Sequence, residues 1–494
     1  LNETGDNANA AKVDSDSIFR IASLSKNVVL TSALTVANQS RSQSFLPRLT
    51  LDTLLRDVLP SFGLPKDDWE YGGSEITLSM LASESSGLPR EGYQTDFNIV
   101  TDFSRASSVV IGNDWADASP DDVVENIKRR GLIFAPSQRP SYSNAGFSLL
   151  GFAVANYRNQ LRDTNLTWSD VATDDILQPL NMTNSFFGSI PDALVPYISV
   201  PGTDNWVDLF IGPGYDPAGG MWSSANDLVK YIHDLWLKPE PELITAVQRR
   251  TVLQPRLWLS DGEQEVGPAW EITIVKPETS VFLPSPETDD PRYKIFGKSG
   301  DGGGSHSYID IVPDLGYGIA VVSSEGAPPS ANYTHIQPLS VALAAHDLLI
   351  PAFRAAYSSM LGAEYAGNYT LAGANSTTAA NHALVELDGN ILYLRNLVYN
   401  NVSALLRLDQ TGWTDTDHAV FFSTPQGTGL IPSPIGDGQS FRMMIESTLC
   451  DYFDFDGYTD QNGWGLDRVK FVEGPDGMEL HYPPLNAVLV RIKE

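Results

Sequence analysis

Between Lys26 and Gln39, apolar residues stand at Val28, Val29, Leu30, Ala33, Leu34, Val36 and Ala37. The spacing is helical, and the apolar arc is broad enough for a buried helix. Residues 1–16 are small and polar and read as an irregular entry, and residues 38–44 ("NQSRSQS") form a polar connector. Residues 50–170 are mainly helical with long loops, as in "LTLDTLLRDVL", "ITLSMLASESSG" with Gly87 as a stop, and "NAGFSLLGFAVANY". The texture changes at 267–275 and 305–323. In "SYIDIVPDLGYGIAVVSS" the runs Tyr308–Val312 and Gly318–Ser323 read as strands flanking a turn at Pro313-Asp314-Leu315-Gly316. Residues 335–361 return to helix. Beyond Leu361, "NHALVELDGNILYLRNL" and "VKFVEGPDGMELHYP" are paired short runs joined at Asp388-Gly389 and Asp476-Gly477, both hairpin signals. The pattern predicts two domains, a mixed one over 1–361 and an antiparallel β domain over 362–494. No repeat long enough for a solenoid is present.

Composition narrows the function classes. A chain of 494 residues exceeds one core, and 42% hydrophobic with 19% charged residues fits a soluble globular protein. The net charge of −29 argues against a nucleic-acid partner and against docking to an anionic membrane. No uninterrupted apolar run reaches the length of a membrane span. Cys450 is the single cysteine, which excludes an intrachain disulfide and a Cys-rich zinc site. Asn-x-Ser/Thr sequons at Asn2, Asn38, Asn165, Asn181, Asn332, Asn368, Asn375 and Asn401 exceed chance, and with the acidity they point to a secreted eukaryotic glycoprotein. The chain starts at Leu1, so an expectation of a removed or omitted leader follows.

The candidate chemistry begins at Ser23-Leu24-Ser25-Lys26, at the start of the first helix. Residues three apart share a helix face, with Cβ atoms about 5–6 Å apart, so Lys26 reaches the serine hydroxyl. The helix N-terminus favours a developing oxyanion and opposes an ammonium charge, and both effects suit an activated serine. Taken alone, the motif also reads as a capping serine beside a surface lysine. Two later segments change that balance: Tyr142-Ser143-Asn144 in "PSYSNAGFSLLG", and Lys298-Ser299-Gly300 in "IFGKSGDGGGSHSYIDIVP", expected at a strand edge. Considered singly, Tyr142 reads as a half-buried loop tyrosine and Lys298 as an edge-strand charge that blocks aggregation.

The order Ser-x-x-Lys, Tyr-x-Asn, Lys-x-Gly resembles that of penicillin-recognising serine enzymes with tyrosine in the second motif. The chain is similar to class C β-lactamases, related esterases and D-amino-acid-specific peptidases. It looks most like fungal secreted β-lactamase-like proteins with an extra C-terminal β domain. "IFRIASLSK", "ITLSMLASESSGLPR", "YSNAGFSLLG", "GGMWSSANDLVKYI" and "YIDIVPDLGYGIAVVSS" carry the resemblance across residues 17–350. It implies an α/β (α+β) β-lactamase/transpeptidase-like fold: a central antiparallel sheet flanked by helices, an all-helical region, and a C-terminal lipocalin-like barrel. It implies that Ser23 is acylated, that Lys26 and Tyr142 share the general-base work, and that Asn144 orients Lys26 or a substrate carbonyl. Lys298, with Ser299 and Gly300, would bind a substrate carboxylate or polar tail. The backbone N–H groups of Ser23 and Asp301 would form the oxyanion hole. A tyrosine of ordinary pKa, about 10, is a poor base, and the Lys26 and Lys298 charges are what would make it usable. The substrate would be a small ester, lactone or amide, with no cofactor and no metal. The alternative is a catalytically weak or inactive binding protein on the same fold.

Three features depart from the family pattern. Asp301 puts a carboxylate beside the oxyanion site, which would disfavour anionic β-lactams, Gly302-Gly303-Gly304 follows the third motif, and "SESSG" stands where the family commonly has His-Thr-Ser-Gly. The 22 residues before Ser23 are fewer than the family's N-terminal helix and strands, which pair with the Lys298 strand. A processed or truncated form, or a separate N-terminal segment completing the sheet, is therefore expected. Other motifs fail: there is no P-loop (Arg292 replaces glycine), no Gly-x-Ser-x-Gly and no His-Glu-x-x-His. In "DFDGYTDQNGWG", Tyr458 and Val469 stand where calcium ligands are needed. His306, close to the third motif, reads first as a polar loop histidine and second as lining the site, and Tyr399-Asn400-Asn401 as a chance match.

Overall fold

The computed structural model describes residues 12–92, 118–201, 211–259, 264–275, 293–325, 337–388, 391–405, 428–433, 439–443 and 459–492. Asn2, Asn332, Gly389, Cys450 and Tyr458 lie outside these residues. The chain divides into two compact units, Leu1–Leu348 and Leu349–Glu494. The division falls inside a long helix, upstream of the change in sequence texture at Leu361.

In the first unit, α1 (Ser25–Gln39) is buried at every residue from Ser25 to Ala37. The apolar arc buries against other elements; of the polar positions Asn27 and Thr31 find partners there, while Ser32 Oγ and Thr35 Oγ1 are buried without one among the described residues. Asn27 Nδ2 donates to Ala269 O (3.2 Å), and Tyr231 OH donates to Asn27 Oδ1 (2.6 Å). Helix α2 (Asn144–Arg162) starts at Ser143, whose Oγ accepts from Gly146 N at 2.9 Å. Ahead of α1, β1 (Ile18–Arg20) pairs with β2 (Trp222–Ser224), and this short ribbon fixes the entry to Ser23.

The main sheet is antiparallel and runs in chain order. Its strands are β3 (Leu257–Trp258), β4 (Gln264–Gly267), β5 (Trp270–Val275), β6 (Tyr293–Gly302), β7 (Ser305–Val312) and β8 (Tyr317–Ser324). The β7–β8 turn is the one expected at 313–316, closed by Gly316 N to Val312 O (2.9 Å) with Gly316 at φ +71°. Lys298 does not lie on an edge. Strand β6 sits between β5 and β7, with Glu271 opposite Gly297 and Ser307 opposite Gly300. The strand beside that of Lys298 is therefore "AWEITIV" and not an N-terminal one. His306 is likewise not a loop residue. It lies in β7, buried, opposite Asp301.

Helix α3 (Pro338–Tyr365) buries one stripe, Ala342, His346, Ile350, Arg354, Ser358, Leu361 and Tyr365. By length and composition alone it could also cross a membrane. In the first unit His346 bridges Tyr317 OH and Asp310 Oδ2, both at 2.7 Å.

The second unit is a barrel. Strands β9 (Gly367–Thr370), β10 (His382–Asp388), β11 (Ile391–Tyr399), β13 (Thr428–Ser433), β14 (Gln439–Met443), β15 (Arg468–Gly474), β16 (Gly477–Tyr482) and β17 (Ala487–Arg491) pair in sequence, and β17 returns to β9. A short β12 (Val402–Ser403) extends β11. Alternate residues fill the interior around Tyr365, Tyr369, Phe441 and Phe471. Two turn assignments sharpen. Gly474 pairs with Gly477, so the loop is Pro475-Asp476, one residue earlier than the Asp-Gly signal indicates. Asn400 and Asn401, at φ +49° and +60°, form the turn joining β11 to β12, so this second Tyr-x-Asn is hairpin chemistry. In the "DFDGYTDQNGWG" segment, Asp460 Oδ1 accepts from the backbone of Asn462 and Trp464 and closes a local turn.

Candidate active site

Ser23 sits in a single 3-10 turn, Ala22–Leu24, that runs directly into α1. The turn is held from three sides. Ser25 Oγ donates to Ala22 O (2.7 Å) and accepts from Met221 N (3.1 Å), and Ser307 Oγ on β7 donates to Ile21 O (2.7 Å). Ala22 takes φ +46°, a left-handed conformation unusual for alanine, immediately before the serine. A side chain on Gly300 would put its Cβ 2.1 Å from Ile21 O and 2.9 Å from Leu24 N. Glycine is what lets the end of β6 close on the Ser23 turn.

Three of the expected residues converge on Ser23 Oγ and its immediate partner. Lys26 Nζ lies 3.0 Å and Tyr142 OH 2.5 Å from Ser23 Oγ. Lys26 Nζ also donates to Asn144 Oδ1 and to Ala218 O, both at 2.6 Å. Asn144 and Ala218 are pure acceptors there. They absorb two N–H groups, and the third position on Nζ faces the serine, as a donor in the ammonium or as a lone pair in the free amine. Asn144 is itself oriented by donating from Nδ2 to Glu91 Oε1 at 2.7 Å.

The Tyr142 ring lies among cations: Arg90 at 4.7 Å, Lys26 at 4.8 Å and Lys298 at 5.5 Å from its centroid. Burial would push its phenol up. The Lys26 and Lys298 charges outweigh that and hold it below the ordinary 10.

Lys298 is buried and paired. Its Nζ donates to Glu271 Oε1 (2.5 Å) and Ser299 O (2.8 Å). Burial alone would lower its pKa, but Glu271 and the other acidic groups around it raise it far above the usual lysine range. Asp301, beyond Gly300, has its carboxylate turned to His306 Nδ1 (2.6 Å), while His306 Nε2 lies 3.3 Å from Glu325 Oε1.

Two acidic residues of this site, Glu84 and Glu271, are not among those the sequence motifs single out. Glu84, at φ +56°, accepts from Ser143 N (2.7 Å), and burial raises its carboxyl to about 8 against the pull of Lys26 and Lys298. It belongs to the "SESSG" departure, which was a visible signal. Glu271 had none, since a lone glutamate in a strand has no spacing signature. A pocket of about 200 Å³ shares Tyr142, Lys298, Glu84 and Glu271 with the site and is walled by Phe147, Val266, Ala269 and Trp270.

Of the sequons, Asn165, Asn181, Asn368, Asn375 and Asn401 are exposed. Asn38 is half-buried in α1, with Nδ2 donating to Leu243 O at 3.3 Å.

The Beta-lactamase family profile matches residues 3–343. A Beta-lactamase-like protein of Arthroderma benhamiae is 28% identical over 276 residues, covering 54% of this chain and 41% of that protein. Putative beta-lactamase-like 1 of Homo sapiens is 25% identical over 284 residues, covering 57% of this chain and 48% of that one. The chain thus spans less than half the length of these two relatives. Among solved structures, a class C beta lactamase from Rhodobacter sphaeroides aligns with a TM-score of 0.48 at 20% identity, over 69% of this chain and 89% of that one. A penicillin-binding protein homologue from Pyrococcus abyssi aligns with a TM-score of 0.48 at 18% identity, over 94% of this chain and 86% of that one. With a family profile covering most of the first unit and the three motifs gathered around one serine, the chain belongs to the beta-lactamase family of serine hydrolases.

Proposed function

We propose that the protein is a hydrolase or acyltransferase that works through an acyl-Ser23 intermediate on an ester, lactone or amide. The observation that carries the reading is the double contact on Ser23 Oγ, from Lys26 Nζ at 3.0 Å and Tyr142 OH at 2.5 Å. Ser23 Oγ attacks the substrate carbonyl carbon, and its proton passes to the Lys26–Tyr142 pair. The carbonyl oxygen becomes an oxyanion held by the backbone N–H groups of Ser23 and Asp301. Collapse breaks the bond to the leaving alcohol or amine, which takes the proton back from the pair. Water or a second alcohol or amine then repeats the sequence on acyl-Ser23 and frees the enzyme. Asn144 and Ala218 O hold Lys26 in place throughout.

Fluorophosphonate labelling tests this reading. One equivalent should attach to wild type and none to Ser23→Ala, with both samples folded by circular dichroism. A folded wild type that takes no label would point to the binding-protein alternative. The exposed sequons support a companion proposal, that the protein is a secreted glycoprotein, which a mass loss on treatment with peptide N-glycosidase F would test.

A further inference from the structure

The Lys-Ser-Gly strand offers three donors to an incoming carboxylate: the Lys298 ammonium, the Ser299 hydroxyl and the Ser299 amide. All three are already taken by one internal carboxylate. Lys298 Nζ lies 2.5 Å from Glu271 Oε1, and Ser299 Oγ and N lie 2.9 Å and 3.2 Å from Glu271 Oε2. Glu271 reaches them from β5, opposite Gly297 on β6. We infer that Glu271 sets the substrate class: it fills the cationic cradle itself, so the site takes acyl donors without a carboxylate and seats an apolar acyl group in the adjoining pocket. The inference rests on the acyl-Ser23 reading.

The charges around the cradle agree. Burial would raise the Glu271 carboxyl, but Lys298 and the Ser299 hydrogen bonds hold it below the usual carboxylate range, so it is ionised at neutral pH. A second carboxylate within about 4 Å of it would meet like-charge repulsion in a partly desolvated site. At the other end of the motif the Asp301 carboxylate is 58% exposed and paired with His306 Nδ1 at 2.6 Å, so it offers no donor to an incoming anion either. The pocket wall is the complement of this. Phe147, Val266, Ala269 and Trp270 present apolar surface, the Glu84 carboxyl is raised to about 8 and so is mostly protonated at neutral pH, and Lys298 and Glu271 line the pocket only as a pair that neutralises itself. Its volume of about 200 Å³ exceeds the roughly 150 Å³ of an engineered cavity that holds benzene. An aromatic ring or a short alkyl chain fits against that apolar wall.

Benzylpenicillin and its methyl ester differ only in the carboxylate, and their acylation rates can be compared on wild type, Glu271→Gln and Glu271→Ala. Wild type should be acylated faster by the ester. Glu271→Gln removes the charge that neutralises Lys298, Glu271→Ala removes the acceptor as well, and each should shift the acid-to-ester rate ratio toward the acid by about ten- to a hundredfold, the worth of one charge-assisted hydrogen bond. Equal rates in wild type, or an unchanged ratio in both variants, overturns the inference. A second arm needs no acylation. Ser23→Ala should bind phenylacetamide more tightly than phenylacetate by calorimetry, and adding Glu271→Gln should reverse the order. The same order in both chains overturns the inference even if Ser23 is labelled. The predicted reversal in a chain whose Ser23 takes no fluorophosphonate would sink the hydrolase reading and leave the carboxylate discrimination standing.

Discussion

Replacing Glu84 by glutamine should stabilise the protein, and only above a certain pH. The Glu84 carboxyl has its pKa raised from 4.5 to about 8 by burial. It faces Lys26, Lys298, Glu271, Tyr142 and the Ser143 amide. The folded protein therefore keeps a proton that the unfolded chain has lost. The penalty is absent below about pH 4.5, grows as pH rises, and levels off near pH 8. At pH 7.5 the gap is about 3 pKa units, or about 4 kcal/mol at about 1.4 kcal/mol per unit as an upper bound. The carboxyl lines a pocket open to water, so screening reduces the expected gain to about 1–2 kcal/mol. Glutamine keeps the shape and the acceptor for Ser143 N but has no proton to hold. A unit of 348 residues unfolds with an entropy near 0.7 kcal/mol per kelvin, so its melting temperature should rise by about 1.5–3 °C. Scanning calorimetry of wild type and Glu84→Gln at pH 5 and pH 7.5 measures this. The rise should appear at pH 7.5 and shrink below about 1 °C at pH 5. An equal shift at both pH values, or a fall at pH 7.5, would refute the argument that Glu84 folds protonated.

Four other outcomes follow from the same geometry. Acylation should rise with pH along a limb set by a phenol below 10, and Tyr142→Phe should remove that limb and slow acylation about a hundredfold or more, read from pH–rate profiles. Because ionised Glu84 opposes the Tyr142 phenolate, Glu84→Gln should move the limb to lower pH. Gly300→Ala forces a Cβ to within 2.1 Å of Ile21 O, so it should cost about 1–3 kcal/mol in denaturant unfolding and abolish labelling of Ser23. Asn144→Leu removes the acceptor of Lys26 and the donor to Glu91, and should cost about 1–3 kcal/mol with a matching loss of acylation, where a stability loss alone would assign Asn144 a structural role only.

Much of the site was legible because its residues carry spacing. Ser23 and Lys26 share one helix turn, and Tyr142 and Asn144 flank the cap of the next long helix. The buried α1 and the two-strand pattern around 313–316 follow directly from hydrophobic periodicity. What stayed hidden depends on contacts distant in sequence. The pairing of β5 with β6 turned Lys298 from an edge residue into an interior one, and no local pattern encodes which strand arrives there. Glu271 and Glu84 acquire their roles only through that packing: one by standing opposite Gly297, the other by folding under the Ser143 amide. His306 looked like a loop residue because the glycines before it suggest a long turn. In the fold they make a tight reversal, with Gly303 and Gly304 at φ +59° and +74°, and place it in a strand.

The central claim is that Ser23 carries the acyl group. Rapid quench of the protein with p-nitrophenyl butyrate, followed by intact-mass and peptide mapping, tests it directly. The account predicts one butyryl adduct, located on Ser23, and none in Ser23→Ala. A folded wild type with no adduct, or an adduct that persists in Ser23→Ala, would contradict it.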